Sequence, residues 1–67
     1  MNEKEKCLYN FYGEYFDDHG MIPTMVECME VLHLKGWATF YEIFHGLQSK
    51  GFIEHTPYKK RNVKLLR

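Results

Sequence analysis

The stretch from Thr24 to Lys50, TMVECMEVLHLKGWATFYEIFHGLQSK, has the pattern of two amphipathic helices joined by a tight turn. Thr24 and Glu27 have the spacing of a capping box, in which each side chain accepts a hydrogen bond from a free backbone N–H at a helix start. The apolar residues that follow recur at i, i+3, i+4 and i+7: Met25, Cys28, Met29 and Leu32. We therefore predict a helix over residues 25–32.

A second apolar face follows the turn. Residues 33–36 interrupt the helical period, and Gly36 has the backbone freedom that a tight turn requires. The same spacing then resumes at Phe40, Ile43, Phe44 and Leu47. Because Gly51 stands where a glycine often ends a helix, we predict a helix over residues 37–50. Two short helices cannot bury their apolar faces alone, so a third element is required.

The residues before this stretch supply the third element. Five apolar residues, four of them aromatic, follow helical spacing there: Leu8, Phe11, Tyr12, Tyr15 and Phe16. We predict a supporting helix over residues 3–18 whose aromatic stripe faces the core. Gly13 in its middle costs about 1 kcal/mol relative to alanine, and we expect a neighbouring helix to approach closely there.

After Gly51 the apolar period changes from that of a helix to that of a strand. Residues 52–55 read as a short strand, and alternation over residues 61–66 predicts a second, half-buried strand. The chain is therefore predicted to be mostly α with a small β-hairpin. Three helices followed by a two-stranded wing form a winged helix-turn-helix, here one domain over residues 1–67.

Length and composition limit the class of protein. The 67 residues can form one small core, to which 16% aromatic residues bring large buried areas. No apolar run is long enough for a membrane span, and the charged start MNEKEK precedes no signal-peptide core, so we expect a cytoplasmic protein with no membrane partner. Cys7 and Cys28 fall on predicted apolar faces, and we expect reduced core thiols.

The sequence offers little for catalysis or for a cofactor. It has no glycine-rich phosphate loop, no nucleophile elbow and no Cys/His spacing typical of a metal site. His19 and His33 are expected at solvent-exposed turns. We expect a protein that is not an enzyme and that uses neither a metal nor a cofactor.

Charge is divided between the two halves of the chain, although the net charge is zero. From Met1 to Leu34 two cations oppose seven anions, a net of −5, and from Lys35 to Arg67 seven cations oppose two anions, a net of +5. Such a dipolar domain can present one cationic surface to a polyanion. The candidate phosphate contacts are Lys35, Ser49, Lys50, Lys59, Lys60 and Arg61, with Lys64 beside them. The cationic run 59–61 would equally suit an ordinary solvated turn.

Four pieces of the sequence occur in a characteristic order and spacing: Gly20-Met21-Ile22-Pro23-Thr24, Glu27, Leu47-Gln48-Ser49-Lys50-Gly51-Phe52-Ile53-Glu54 and Arg61-Asn62-Val63-Lys64-Leu65-Leu66. Together they resemble the N-terminal DNA-binding domain of LexA-type repressors, and the resemblance runs from about Lys4 to Leu66. The resemblance implies a bacterial or phage transcription regulator whose partner is double-stranded DNA. It also implies that the third helix enters the major groove and that the wing lies on the phosphate backbone.

The resemblance further implies which residues read bases. The matching positions are Gly36, Ala38, Thr39, Tyr41 and Glu42, with Lys35 near a phosphate. Helical geometry independently places Ala38, Glu42, His45 and Ser49 opposite the apolar face, and His45 joins the base-reading candidates. Gly36 and Ala38 replace the hydroxyl and amide residues usual in the family, so the LexA operator itself is not expected. Trp37, about 60° from the inward direction, is expected to pack at the core rim.

LexA-type proteins also carry a self-cleaving serine-lysine protease domain through which they dimerise, and these residues do not include it. Because one small domain reads only a short half-site, we expect a homodimer or a helper protein. A second hypothesis is a protein-interaction or inhibitor module that uses Trp37 and Tyr41 of the third helix, together with the acidic first helix, on the same scaffold. The basic wing and the divided charge favour DNA binding, whereas the altered residues at the base-reading positions and the zero net charge favour the second hypothesis.

Overall fold

The fold is known from a computed structural model that describes residues 1–55 and 63–66. Its elements in chain order are α1 (Glu3–His19), α2 (Met25–Val31), α3 (Trp37–Ser49), β1 (Ile53–His55) and β2 (Val63–Leu65). The two strands pair antiparallel, with Glu54 opposite Lys64. The described residues thus form three helices followed by a hairpin, and the predicted winged helix-turn-helix class is confirmed.

Capping boxes begin both α1 and α2. In the box predicted from the sequence, the Glu27 N–H donates to Thr24 Oγ1 at 3.2 Å and the Thr24 N–H donates to Glu27 Oε1 at 2.9 Å. A second box, not predicted from the sequence, joins Asn2 and Glu5 by bonds of 2.8 and 2.9 Å. Each box satisfies backbone donors that a helix start leaves free, so these two starts are fixed by local sequence.

The turn between α2 and α3 is made at His33. This residue has φ 56°, in the left-handed region that residues other than glycine adopt only infrequently, with Asn, Asp and His found there more often than the rest. The Leu34 N–H donates to the Met29 carbonyl at 2.9 Å and the His33 N–H donates to the Glu30 carbonyl at 3.2 Å, the bonding pattern of a Schellman helix end. Gly36, predicted to supply the turn, is extended instead and forms the N-cap of α3.

The core lies between the three helices and β1. Its buried members are Leu8, Tyr12, Ile22, Cys28, Phe40, Ile43, Phe44, Leu47 and Ile53. All four predicted inward residues of α3 are among them. Phe16, predicted to face the core, is instead 45% exposed, because the last turn of α1 extends past the packed residues and is exposed throughout.

The two cysteines have different environments. Cys28 is fully buried, and burial raises the pKa of its thiol to about 11. Cys7 is exposed, so the prediction that both thiols belong to the core was wrong for this residue. At 100° per residue, Cys7 lies roughly opposite Glu5 and Tyr12 on α1, which are buried. Neither cysteine is in a disulfide.

We expect iodoacetamide to modify Cys7 in the native protein and to leave Cys28 unmodified until the protein unfolds. A buried thiol with a raised pKa is neither accessible nor ionised at neutral pH. Mass spectrometry after labelling with and without denaturant measures this. Cys7→Ser is the control, and rapid labelling of that variant in its native state would contradict the buried position of Cys28.

Over residues 1–55 and 63–66, none of the helices has both the length and the apolar character needed to cross a lipid bilayer.

Candidate nucleic-acid interface

α3 carries apolar and exposed residues on opposite faces. Its inward side chains are buried, while the four outward positions predicted from the sequence are exposed, as is the flanking Tyr41: Ala38, Tyr41, Glu42, His45 and Ser49. We call these five residues the outer face. A helix of 13 residues rises about 18 Å from its first residue to its last, so the outer face forms a narrow strip along one side of the domain.

The start of α3 is suited to an anion. Lys35 and Gly36 are both exposed, and Gly36 as N-cap has no side chain to accept from the free backbone N–H groups of the first turn. These donors carry the partial positive charge of the helix dipole, and Lys35 adds a full charge beside them. Thr39, another predicted base contact, is half-buried next to this end. Phosphate groups bind helix starts of this kind.

Two exposed aromatic side chains make the surface of the first two turns of α3 partly apolar. Trp37 is 52% exposed and Tyr41 is 45% exposed. The prediction that Trp37 packs at the core rim was wrong, because this first residue of α3 lies beyond the buried side chains that begin at Phe40. The Tyr41 ring stacks with His45 at a centroid distance of 6.2 Å. The outer face therefore offers ring surface as well as polar groups.

The hairpin is held beside α3 by aromatic and apolar contacts. The rings of His55 and Phe44 of α3 pack edge to face with their centroids 5.4 Å apart, and Phe52 packs in the same way on Tyr9 of α1, with a centroid distance of 5.6 Å. Ile53 of β1 is 2% exposed in the core. Lys64 is exposed on β2, whereas the predicted phosphate contacts Lys59, Lys60 and Arg61 lie outside the described residues. The base of the wing is thus fixed relative to α3.

Lys50 points to α1. It is the C-cap of α3, and its Nζ donates to Oε1 of Glu5 at 2.6 Å. The side chain of Glu5 is only 4% exposed, and the bonds from Lys50 and from the Asn2 N–H hold the pKa of its carboxyl below the usual range. This ion pair was not predicted from the sequence. A readable signal was present, because Glu5 lies on the same helix face as Leu8 and Tyr12 and needs a partner when buried.

Two comparisons relate the chain to known proteins. A family model described as the LexA DNA binding domain matches residues 2–62. The LexA repressor of Desulfatibacillum aliphaticivorans is 33% identical over 67 residues, which are 100% of this chain and 33% of that protein. The LexA repressor of Carboxydothermus hydrogenoformans is 27% identical over 66 residues, which are 98% of this chain and 32% of that protein. The chain spans about a third of the length of these curated relatives.

Proposed function

The chain belongs to the LexA DNA-binding domain family, and from this membership we propose that it regulates transcription by binding double-stranded DNA through the outer face of α3. The family assignment does not favour the alternative of a protein-interaction or inhibitor module. The observation that supports this use of α3 is its division into a buried inward side and an exposed outer face. A bacterial origin of the chain fits these relatives. We propose that the protein is a non-catalytic regulator that acts in the cytoplasm.

We propose that α3 lies in the major groove, whose width of about 12 Å admits an α-helix. The base-reading candidates are Gly36, Ala38, Thr39, Tyr41, Glu42 and His45. The Thr39 methyl can contact the methyl group of thymine, and Glu42 can accept a hydrogen bond from a cytosine amine. The exposed rings of Trp37 and Tyr41 add apolar area beside these groups. Recognition would then depend more on shape and methyl contacts than on an arginine–guanine pair.

Phosphate contacts would supply most of the affinity. Lys35 stands beside the free N–H groups at the start of α3, and Ser49 places a hydroxyl at the other end of the outer face. The sequence between β1 and β2 adds the cationic residues Lys59, Lys60 and Arg61, which lie outside the described residues. Each phosphate that a cation neutralises releases counterions, so this arrangement implies binding that weakens steeply as the salt concentration rises.

We also propose that two copies act together on DNA. A single domain of this size covers a short half-site, and two half-sites one helical turn apart, about 34 Å, suit a symmetric pair of recognition helices. Either self-association or a helper protein would bring the second recognition element. The affinity for one duplex carrying two half-sites should then exceed that for a duplex carrying one.

Fluorescence anisotropy with a labelled random duplex pool, at low and moderate salt, tests DNA binding directly. We expect the logarithm of the binding constant to fall linearly with the logarithm of the salt concentration. Lys35→Gln should reduce the magnitude of this slope by about 0.9. Lys6→Gln, the same charge change on an exposed position of α1, is the control and should leave the slope unchanged. Folded protein that binds no duplex at low salt would refute the proposal.

A further inference from the structure

We infer that Glu5 is a positioning residue for DNA binding, because its buried carboxylate holds the end of α3 against α1 through Lys50 and so orients the outer face. The inference rests on the proposed function. Glu5 is not proposed to contact DNA itself. Its ion pair with Lys50 fixes the position of the recognition helix within the domain.

The carboxylate of Glu5 is enclosed on several sides. Its Oε1 accepts from the Asn2 N–H at 2.9 Å and from Lys50 Nζ at 2.6 Å. Its Oε2 lies against Gly46 of α3, where a Cβ atom would overlap the carboxylate oxygen. We call this arrangement, made by Glu5, Asn2, Gly46 and Lys50, the Glu5 seat. A buried carboxylate is tolerated only where it is paired and hydrogen-bonded, so the seat fixes one register between α1 and α3.

The Glu5 seat also removes Lys50 from the phosphate contacts suggested by the sequence. The side chain of Lys50 is 47% exposed, but its ammonium group is compensated by a carboxylate at 2.6 Å. A cation already paired within the protein contributes less counterion release when DNA binds. Lys35 is exposed and makes no ion pair with any residue in the described part of the chain. Lys35 and Lys50 should therefore respond differently to neutralisation.

Orientation matters because base recognition is more sensitive to position than phosphate attraction is. The inward side of α3 is held by apolar contacts, which have no preferred direction. The ion pair and its hydrogen bonds are directional and act at the end of the helix. Hydrogen bonds to base edges require donor–acceptor distances of about 2.7–3.2 Å, so a small shift of α3 would weaken base reading before it weakened general attraction.

A double-mutant cycle in urea unfolding tests the Glu5 seat without DNA. In the wild-type background Gly46→Ala is expected to lower the unfolding midpoint, because the new methyl group displaces the carboxylate from Lys50 and Asn2. In a Glu5→Ala background the same change should raise the midpoint, because alanine is the better helix former and nothing is displaced. Equal effects of Gly46→Ala in the two backgrounds would show that the Glu5 seat does not couple α1 to α3.

The effect on DNA is tested with Glu5→Gln and Lys50→Gln, at a temperature where circular dichroism shows both to be folded. Glutamine at position 5 retains an acceptor for the Asn2 N–H and removes only the charge. Affinities are measured for a duplex that the wild type selects from the random pool and for a scrambled duplex. We expect both variants to reduce the ratio of the two affinities by about fivefold or more, equivalent to losing one base contact, and we expect Lys50→Gln to leave the salt slope unchanged.

Lys35→Gln is the matched comparison, because it should weaken binding to both duplexes by the same factor and reduce the salt slope by about 0.9. An unchanged affinity ratio in Glu5→Gln and Lys50→Gln would make the pair merely structural and overturn the inference. A slope change in Lys50→Gln equal to that of Lys35→Gln would make Lys50 a phosphate contact and overturn it too. If the wild type selects no duplex, the proposed function fails and the inference with it, whereas the unfolding cycle still reports on the Glu5 seat.

Discussion

Phe40→Ala is expected to leave a large fraction of the protein unfolded in the absence of denaturant. Phe40 is 2% exposed and its ring stacks on Phe44 at 5.7 Å, at the centre of the core. Truncating a buried phenylalanine to alanine costs about 3–5 kcal/mol. The whole stability of a domain of this size is on the order of 3–10 kcal/mol, so the substitution consumes much or all of it. Urea unfolding followed by far-ultraviolet circular dichroism measures the loss.

Glu42→Ala is the control for Phe40→Ala on the same helix. Glu42 is exposed two residues further along α3, and alanine is at least as good a helix former. We expect its free energy of unfolding to stay within about 0.5 kcal/mol of the wild-type value. A comparable loss in both variants would mean that the inward side and the outer face of α3 have been assigned incorrectly.

The features that the sequence predicted well depend on residues within one or two helical turns. The period in α3 separated its buried from its exposed residues, and Thr24 with Glu27 marked the start of α2 through a capping box. In each case the chemistry that forms the structure lies between neighbours in the chain. The same reasoning would have found the box at Asn2 and Glu5, which has the same spacing.

The features that the sequence did not predict depend on how the elements pack. Periodicity shows which side of a helix is apolar but not how far its neighbours extend, and so Phe16 and Trp37, close to helix ends, are exposed. The ion pair of Glu5 and Lys50 joins residues 45 positions apart. For the candidate site, the helical period indicated which side of α3 is exposed, whereas the ion pair of Lys50 with Glu5 of α1 could be found only from the structure.

Ala38→Glu is expected to abolish DNA binding while leaving the fold intact. Ala38 is exposed as the second residue of α3, within the surface proposed to enter the groove. A carboxylate placed there faces the polyanion, and a like-charge contact across an interface costs several kcal/mol, which is about a hundredfold or more in affinity. The same carboxylate in the first turn of a helix is favourable by roughly 0.3–1 kcal/mol, so the melting temperature should not fall. Anisotropy titration and thermal unfolding give the two measurements.

Asn10→Glu is the matched control, because it adds one negative charge to an exposed helix position on α1, outside the proposed interface. The two variants have the same net charge, so their long-range attraction to DNA is similar and a difference in affinity reports the position of the new carboxylate. An equal loss of affinity in both variants would mean that net charge causes the effect. Unchanged affinity in both would mean that the outer face of α3 does not contact DNA. A loss confined to Ala38→Glu would instead locate the bound duplex at the start of α3, beside Lys35, where the free backbone N–H groups also lie.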